Sequence, residues 1–318
     1  MVKILPAFEC ENRIVDICVE ELNNDKLIVL PTETVYGITI KINSKNIESL
    51  YRIKGRHERF TIHISHIDDL KNFGIIIKDK YVDIIENITP NPITLIVEDI
   101  NNNKIGIRVP DIELTRDILS RVGPCYMPSA NLKDNPSPTN IYHVIEDLSE
   151  YVDLIVDYGE ARYGIDSTVI DLTKTPHKVL RIGAFTPDKL REYFNNIEID
   201  ERILKMKPLD KKYLKNIEVY GFKNIDKVFR ILDKYERCII VCTLETYYNN
   251  VEKFRGNVDF YILGSIENPL TLYRNVYPSF RYIMKKSPDK VFLELLPVED
   301  VFLPVIEKFL NAVNYILE

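Results

Sequence analysis

Short runs of aliphatic and β-branched residues alternate with segments of helical apolar spacing along almost the whole chain, and that alternation restricts the fold to the α/β class. NRIVDICVEELNN (12–24) carries Ile14, Ile17, Val19 and Leu22 at helix-like spacing and feeds a short buried strand, KLIVL (26–30). SKNIESLYRIKG (44–55) opens on a Ser cap, keeps Ile47, Leu50 and Ile53 on one face and stops at a glycine, so Lys54 and Arg56 fall where the chain turns. FTIHIS (60–65), PITLIVE (92–98), KIGIRVP (104–110), DLIVD (153–157), STVIDL (167–172) and KVLRIG (178–183) read as strands. Helices at 79–87, 113–122 and 140–149 separate them. The expected product is an α/β domain with a mixed sheet.

A chain of 318 residues exceeds the roughly 100–200 residues of one ordinary domain, so a boundary is expected. KMKPLDKKYLKN (205–216), with five Lys against one Asp, breaks the periodicity and reads as a linker. From residue 217 a simpler rhythm starts, with strands at IEVYGF, RCIIVCT, VDFYILGS and KVFLELL and helices at 224–235, 245–254, 267–286 and 300–316. That is the pattern of a smaller, parallel, doubly wound Rossmann-like domain, and without a GxGxxG it is no dinucleotide site. The expected organisation is a catalytic domain over 1–192, a basic linker over 193–216 and the second domain over 217–318.

A net charge of −6 and a pI near 5.6 argue against a surface built throughout to coat nucleic acid, while leaving room for a local basic groove. The five cysteines, Cys10, Cys18, Cys125, Cys238 and Cys242, form no CxxC and sit mostly in apolar runs, as buried small hydrophobes of a reducing compartment do. No apolar run approaches the ~18 residues of a membrane span and no signal peptide opens the chain, so a soluble cytoplasmic protein is expected.

Polar clusters fall at the ends of the expected strands, where α/β proteins place ligands. LPTETVYGITI (30–40) interrupts two apolar runs with Thr32, Glu33, Thr34 and Tyr36. Lys54, Arg56, Arg108 and Arg181 lie in or beside apolar segments and need anionic partners, because an unpaired buried charge is costly. Internal carboxylates would serve as structural salt bridges, and a triphosphate with its many acceptor oxygens would serve equally. The loop PSAN…PSPT (128–139) opens the helix at 140, which suits an anion or simple capping alike. His63 suits a carboxylate ligand or a satisfied core position, and His57, His66, His143 and His177 show no metal spacing. With no Walker sequence and no nucleophile set, composition and spacing reach as far as an anion-binding α/β protein.

The blocks LPTETVYGI, KGR, IHIS, PNPITLIVE, IGIRVPD, GPCYMPSANLKDNPSPT, GIDSTVIDLT and VLRIGAFT occur in the same order as in the YrdC-like family of threonylcarbamoyl-AMP synthases, which residues 9–190 therefore resemble. The linker and the Rossmann-like tail are similar to the long form of that family. The resemblance implies a YrdC-like mixed-sheet domain with a concave site. It also implies an enzyme that makes threonylcarbamoyl-adenylate from L-threonine, bicarbonate and ATP with Mg2+, for threonylcarbamoyladenosine in tRNA. Carried over by position, Thr34, His63, Arg108, Ser129 and Ser167 would contact threonine. Lys54, Arg56, Asn131, Thr139 and Arg181 would contact ATP, with Lys54 and Arg56 supplying charge for catalysis and no protein metal ligands expected. tRNA or the downstream tRNA-modifying complex would be a further partner.

Two blocks depart from the family pattern. KGRHERFTIHI lacks the Pro after Arg56 and the Asn-Pro pair that follows in the family, so Glu58 stands nearest the place of an ATP-contacting Asn. The linker keeps only MKPLDKKYLKN of a longer motif, with Tyr213 where the family's second Tyr falls, and Tyr213 with its neighbouring lysines is expected to close over ATP. An RNA-binding module and an inactive nucleotide-sensing regulator of the same fold are the alternatives to the active synthase.

Overall fold

The computed structural model describes residues 2–7, 11–55, 60–253 and 258–317. They fall into two compact units. The first comprises the chain up to Lys133 with Ser137–Phe185 and Lys189–Glu198, and the second comprises Asp134–Pro136, Thr186–Asp188 and the chain from Ile199 onward. No helix among the described residues is long and apolar enough to cross a membrane.

In chain order the first part reads β1 (Lys3–Pro6), α1 (Glu11–Asn23), β2 (Ile28–Leu30), β3 (Gly37–Lys41), α2 (Ile47–Lys54), β4 (Ile62–His63), α3 (Val82–Ile88), β5 (Ile93–Glu98) and β6 (Lys104–Arg108). It continues with α4 (Glu113–Val122), β7 (Cys125–Tyr126), α5 (Ile141–Leu148), β8 (Leu154–Asp157), β9 (Thr168–Asp171), β10 (His177–Arg181), α6 (Pro187–Tyr193) and β11 (Ile197–Glu198). The strands form one mixed sheet of order β1-β8-β2-β3-β7-β4-β6-β5-β9-β10-β11. β4 pairs parallel with β6, and β5 pairs antiparallel with β6 and parallel with β9, so that His63 lies opposite Arg108 and Ile93 opposite Thr168.

The two-residue period of a strand explains why the middle of this sheet is apolar throughout. Ile28 and Leu30 of β2, with Leu154 and Val156 of β8, meet Ile14, Val15, Cys18 and Leu22 of α1 and Leu114, Ile118 and Leu119 of α4. The intervening Leu27, Val29 and Ile155 pack with Leu50 and Ile53 of α2 and Val144 and Leu148 of α5. Both faces are covered, so a truncation such as Leu30→Ala would cost about 3 kcal/mol or more. The mixed sheet expected from the alternation is present.

The second unit carries α7 (Glu201–Leu204), β12 (Glu218–Phe222), α8 (Ile225–Leu232), β13 (Cys238–Cys242), α9 (Leu244–Asn250), β14 (Val258–Ile262), α10 (Pro269–Lys286), β15 (Lys290–Glu294), α11 (Leu303–Leu310) and β16 (Tyr315–Leu317). Its sheet, of order β14-β13-β15-β12-β16, is parallel at every pairing, as a doubly wound domain requires. Cys238, Ile240 and Cys242 pack with Phe222, Val228, Leu232 and Phe292.

Several elements differ from the sequence reading. The helix expected over 300–316 ends at Leu310 and gives way to β16, because Val313 and Asn314 break out to let Asn314 N reach Val219 O at 2.8 Å. The segment 199–216 packs within the second unit, with Leu209 N, Lys212 N and Tyr213 N donating to the carbonyls of Leu310 and Asn311. Ser44 does not cap α2: the cap position is Asn46, whose N–H donates to Ser44 Oγ at 3.1 Å. The glycine stop does hold, since Gly55 takes φ +60° and its N–H donates to Tyr51 O.

Candidate active site

The turn PTETVYG between β2 and β3 is wound on its own hydroxyls. Thr32 Oγ1 donates to Val35 O at 2.5 Å, accepts from the N–H groups of Thr34 and Val35 at 3.2 Å each, and lies 2.9 Å from Thr34 Oγ1. Tyr36 leaves the turn buried and anchors it, donating to Gly159 O at 2.6 Å. The next residue must be glycine because a Cβ on Gly37 would come within 2.6 Å of the Met127 side chain, and this close approach lets Gly37 bridge to Ser129. The sequence motif thereby brings the 128–131 loop beside the turn.

β6 delivers Arg108 to the same place. Its Nη2 donates to Glu33 Oε1 at 2.6 Å and to Thr34 Oγ1 at 2.7 Å, and the other carboxylate oxygen of Glu33 accepts from Asp111 N at 2.9 Å. Glu33 is fully buried, so the carboxylate that interrupts the apolar run is the internal counter-charge of Arg108. His63, opposite Arg108 in the sheet, has Nδ1 at 3.3 Å from Thr61 O. Burial first, and the Arg108 charge second, push its pKa down to about 3.

β9 and β10 contribute the facing wall. Ser167 Oγ meets Thr94 Oγ1 of β5 at 2.9 Å, and Arg181 donates from Nε to Ser167 O at 2.8 Å and from Nη2 to Ser167 Oγ at 2.9 Å. Asp166 stands 3.7 Å from Arg181 and accepts from Ser137 Oγ at 3.2 Å. A Cβ on Gly183, two residues beyond the end of β10, would lie 2.1 Å from Asp166 O, so only glycine lets the chain pass this segment. Lys54, at the end of α2, donates to the carbonyls of Ser129 and Asn131 at 3.0 and 2.8 Å and to Asn131 Oδ1 at 3.2 Å.

Lys54, His63, Arg108, Ser129, Ser167 and Arg181 thus line one cavity of about 150 Å3. Thr34 and Asn131 join it through Arg108 and Lys54. Thr139 lies apart from the lining, buried, with its N–H directed to His143 Nδ1 at 3.3 Å. Tyr213 sits in the second unit against Phe280 and Tyr277, at ring separations of 5.1 and 5.9 Å. Arg56 and Glu58 lie outside the described residues. Of the anion-seeking cations, Arg108 and Arg181 have the internal carboxylates that salt bridging called for.

Asp166, within the GIDST block (164–168), also lines the cavity, as does Thr94, which the sequence reading does not single out. Strand period would have found Thr94: the face of β5 that carries it also carries Ile96, which lines a second cavity of about 640 Å3 sharing Phe60, Thr61 and Thr94 with the first. Ile96, Val169 and Leu180 give that larger space apolar walls, and Lys104 pairs with Asp171 there at 3.0 Å.

Known proteins resemble this chain in sequence and in fold. A family model, Sua5_yciO_yrdC, described as telomere recombination, matches residues 20–183. The threonylcarbamoyl-AMP synthase of Pyrococcus abyssi is 26% identical over an alignment of 320 positions covering 92% of each chain. That of Bacillus subtilis is 30% identical over 196 positions, covering 57% of this chain and 56% of the relative. The crystal structure of P. abyssi Sua5 complexed with L-threonine superposes with a TM-score of 0.81 at 22% identity, over 98% of this chain and 99% of that one.

Proposed function

The chain belongs to the Sua5/yciO/yrdC family, and from this premise we propose that it is a threonylcarbamoyl-AMP synthase, condensing L-threonine, bicarbonate and ATP to threonylcarbamoyl-adenylate and pyrophosphate. The observation that carries the reading is the convergence of Lys54, His63, Arg108, Ser129, Ser167 and Arg181 on one cavity from six separate stretches of chain. Folding alone would not require so many polar groups around an open space.

The chemistry asks for positioning and charge neutralisation. The amine of threonine adds to CO2 derived from bicarbonate, giving a carbamate, and a carbamate oxygen attacks the α-phosphorus of ATP as pyrophosphate leaves. Such a displacement needs aligned reactants and cations on the phosphates, and no covalent enzyme intermediate. Thr34, His63, Arg108, Ser129 and Ser167 would surround the amino acid. Lys54, Arg56 and Arg181 would meet the phosphates, with Asn131, Thr139 and Tyr213 as further ATP contacts. The adjoining larger cavity, with Ile96, Val169 and Leu180 in its walls, suits the flat base of the nucleotide.

Mg2+ would enter as the ATP chelate. A hard cation of this kind is held largely by phosphate and water oxygens. The catalytic domain would span residues 1–192 and the second domain 217–318, joined by 193–216. The product would serve threonylcarbamoyladenosine formation in tRNA, in the cytoplasm.

The test is pyrophosphate release from ATP by the purified protein with Mg2+ and bicarbonate, with and without L-threonine. Threonine-dependent release is expected. No release from a preparation that still binds threonine by calorimetry would overturn the synthase reading.

A further inference from the structure

Among the described residues the two sheets end on β1, β11, β14 and β16. An end strand offers backbone N–H and C=O groups to any neighbouring chain, and folded proteins keep such edges short or blunt them with Lys and Pro. β1 (KILP) begins on Lys3 and ends on Pro6, β11 has two residues and β16 has three. β14, VDFYI, has five residues with neither Lys nor Pro. Of the four, β14 alone lacks these devices.

Its surroundings are as bare. None of the β14 residues is buried, whereas all five of β13 beside it are. α9 buries no residue, nor does the turn Val251–Lys253 that follows it. α9 lies against β14 through Tyr247 and Phe260, whose rings are 5.2 Å apart. Leu244, Tyr248 and Val251, spaced to share one side of this segment, are 37%, 68% and 39% exposed. Apolar side chains gathered at an open sheet edge mark a contact surface.

Charge and pattern indicate which chain fits. By period two, Val258, Phe260 and Ile262 face the apolar cluster of the second unit, and Asp259 and Tyr261 face α10. There Asp259 meets Lys286 at 3.5 Å and Tyr261 donates to Asn275 Oδ1 at 3.2 Å. Outward from Phe260 in either direction come a polar-tipped residue and then an aliphatic one. An antiparallel copy, related by a two-fold axis normal to the sheet at Phe260, therefore sets Phe260 against Phe260, Val258 against Ile262 and Asp259 against Tyr261. All five residues are matched, and no like charges meet. Registers centred on Asp259 or on Tyr261 match only three of the five, and the first of them opposes two carboxylates.

We infer that β14 is the association edge of this chain and that its partner is a second copy, bound antiparallel through β14 so that two five-stranded sheets join into one. The inference goes beyond the catalytic reading and assigns an interaction surface to the second unit.

Sedimentation equilibrium of the full chain, of mass 37.2 kDa, reads the association. The wild-type protein is expected to reach twice that mass with a Kd of about 10 μM, as an interface of small area gives. Phe260→Lys sets two ammonium groups against each other on the axis and should weaken association at least about 100-fold. Two substitutions at Tyr261 keep the test open if that variant does not fold. Tyr261→Lys brings an ammonium opposite Asp259 of the partner subunit, Tyr261→Asp brings a second carboxylate there, and both lose the same ring and hydrogen bond. The Lys variant should associate at least about tenfold more tightly than the Asp variant, and the gap should shrink in about 1 M salt. A wild-type monomer at about 100 μM, a dimer unaffected by Phe260→Lys, or equal association of the two Tyr261 variants would overturn the inference.

Discussion

Two ion pairs of equal length and unequal burial make a controlled test of why Glu33 interrupts the first apolar run. Arg108 and Glu33 meet at 2.6 Å with side chains 7% and 0% exposed, whereas Arg121 and Asp16 meet at 2.6 Å with side chains 48% and 70% exposed. Coulombic attraction at the surface is diluted by water and ions, so Asp16→Asn should cost less than about 1 kcal/mol. Glu33→Gln keeps the shape but leaves the Arg108 cation buried without a counter-charge, and the one remaining acceptor oxygen cannot serve both Arg108 Nη2 and Asp111 N. Removing one partner of a buried pair costs about 3–5 kcal/mol, and the lower end applies because one oxygen survives. At about 2–4 °C per kcal/mol for a domain of this size, Glu33→Gln should lower Tm by about 6–12 °C and Asp16→Asn by less than about 4 °C. Thermal denaturation followed by circular dichroism reads both. Equal shifts in the two variants would refute the argument that burial decides the value of the pair.

Other substitutions test other parts of the site. His63 has a pKa of about 3 in the folded protein against an ordinary 6.5, so the unfolded chain binds a proton that the folded one does not. Stability should therefore fall as pH drops from 6.5 toward 3, with His63 contributing about 1.4 kcal/mol per pH unit, and His63→Phe should remove that share of the slope in urea titrations. Gly183→Ala drives a methyl group into the Asp166 carbonyl and should cost about 3 kcal/mol, with a clear loss of pyrophosphate release; near-normal Tm and rate would contradict the close approach. Lys54→Ala frees the Ser129 and Asn131 carbonyls from their common donor, and threonine-dependent pyrophosphate release should fall about 100-fold in steady-state assays.

Much of this cavity's polar lining was legible in the sequence because it sits at strand ends. The strands are marked by β-branched alternation, and the polar residues that follow them are the ones that interrupt it. Lys54 was placed by the glycine stop of α2, and Arg108 by the end of a strand whose inward face is fixed by period two. Pairing was not legible. That Glu33 belongs to Arg108, or that His63 faces Arg108 across two strands 45 residues apart in sequence, depends on sheet order, which local pattern does not encode. Short elements escaped for a related reason. β7 has two residues and β11 two, too few to show any period, and they exist because neighbouring strands offer them an edge. Tyr213 was read as part of a linker from its basic surroundings, but its ring is amphipathic and finds Tyr277 and Phe280, a packing that charge composition cannot reveal.

The charges of the cavity also constrain how ATP can enter. Lys54, Arg108, Arg181 and Asp166 line the cavity, and with Glu33 paired to Arg108 these five groups carry one net positive charge. ATP brings about four negative charges, so the protein alone falls short by about three. Arg56 from the KGR block would supply one, and a single Mg2+ on the phosphates would supply two, which closes the balance. An uncompensated charge in a site of low dielectric is disfavoured by several kcal/mol, so the proposed synthase would couple nucleotide binding to metal binding. Threonine is a zwitterion and carries no such requirement. Chelation of Mg2+ by EDTA is therefore expected to weaken ATP binding at least about 100-fold while leaving threonine affinity unchanged, both measured by calorimetry. Equal ATP affinity with and without the metal would mean that cations other than these three balance the phosphates, and the assignment of Lys54 and Arg181 to them would have to be given up.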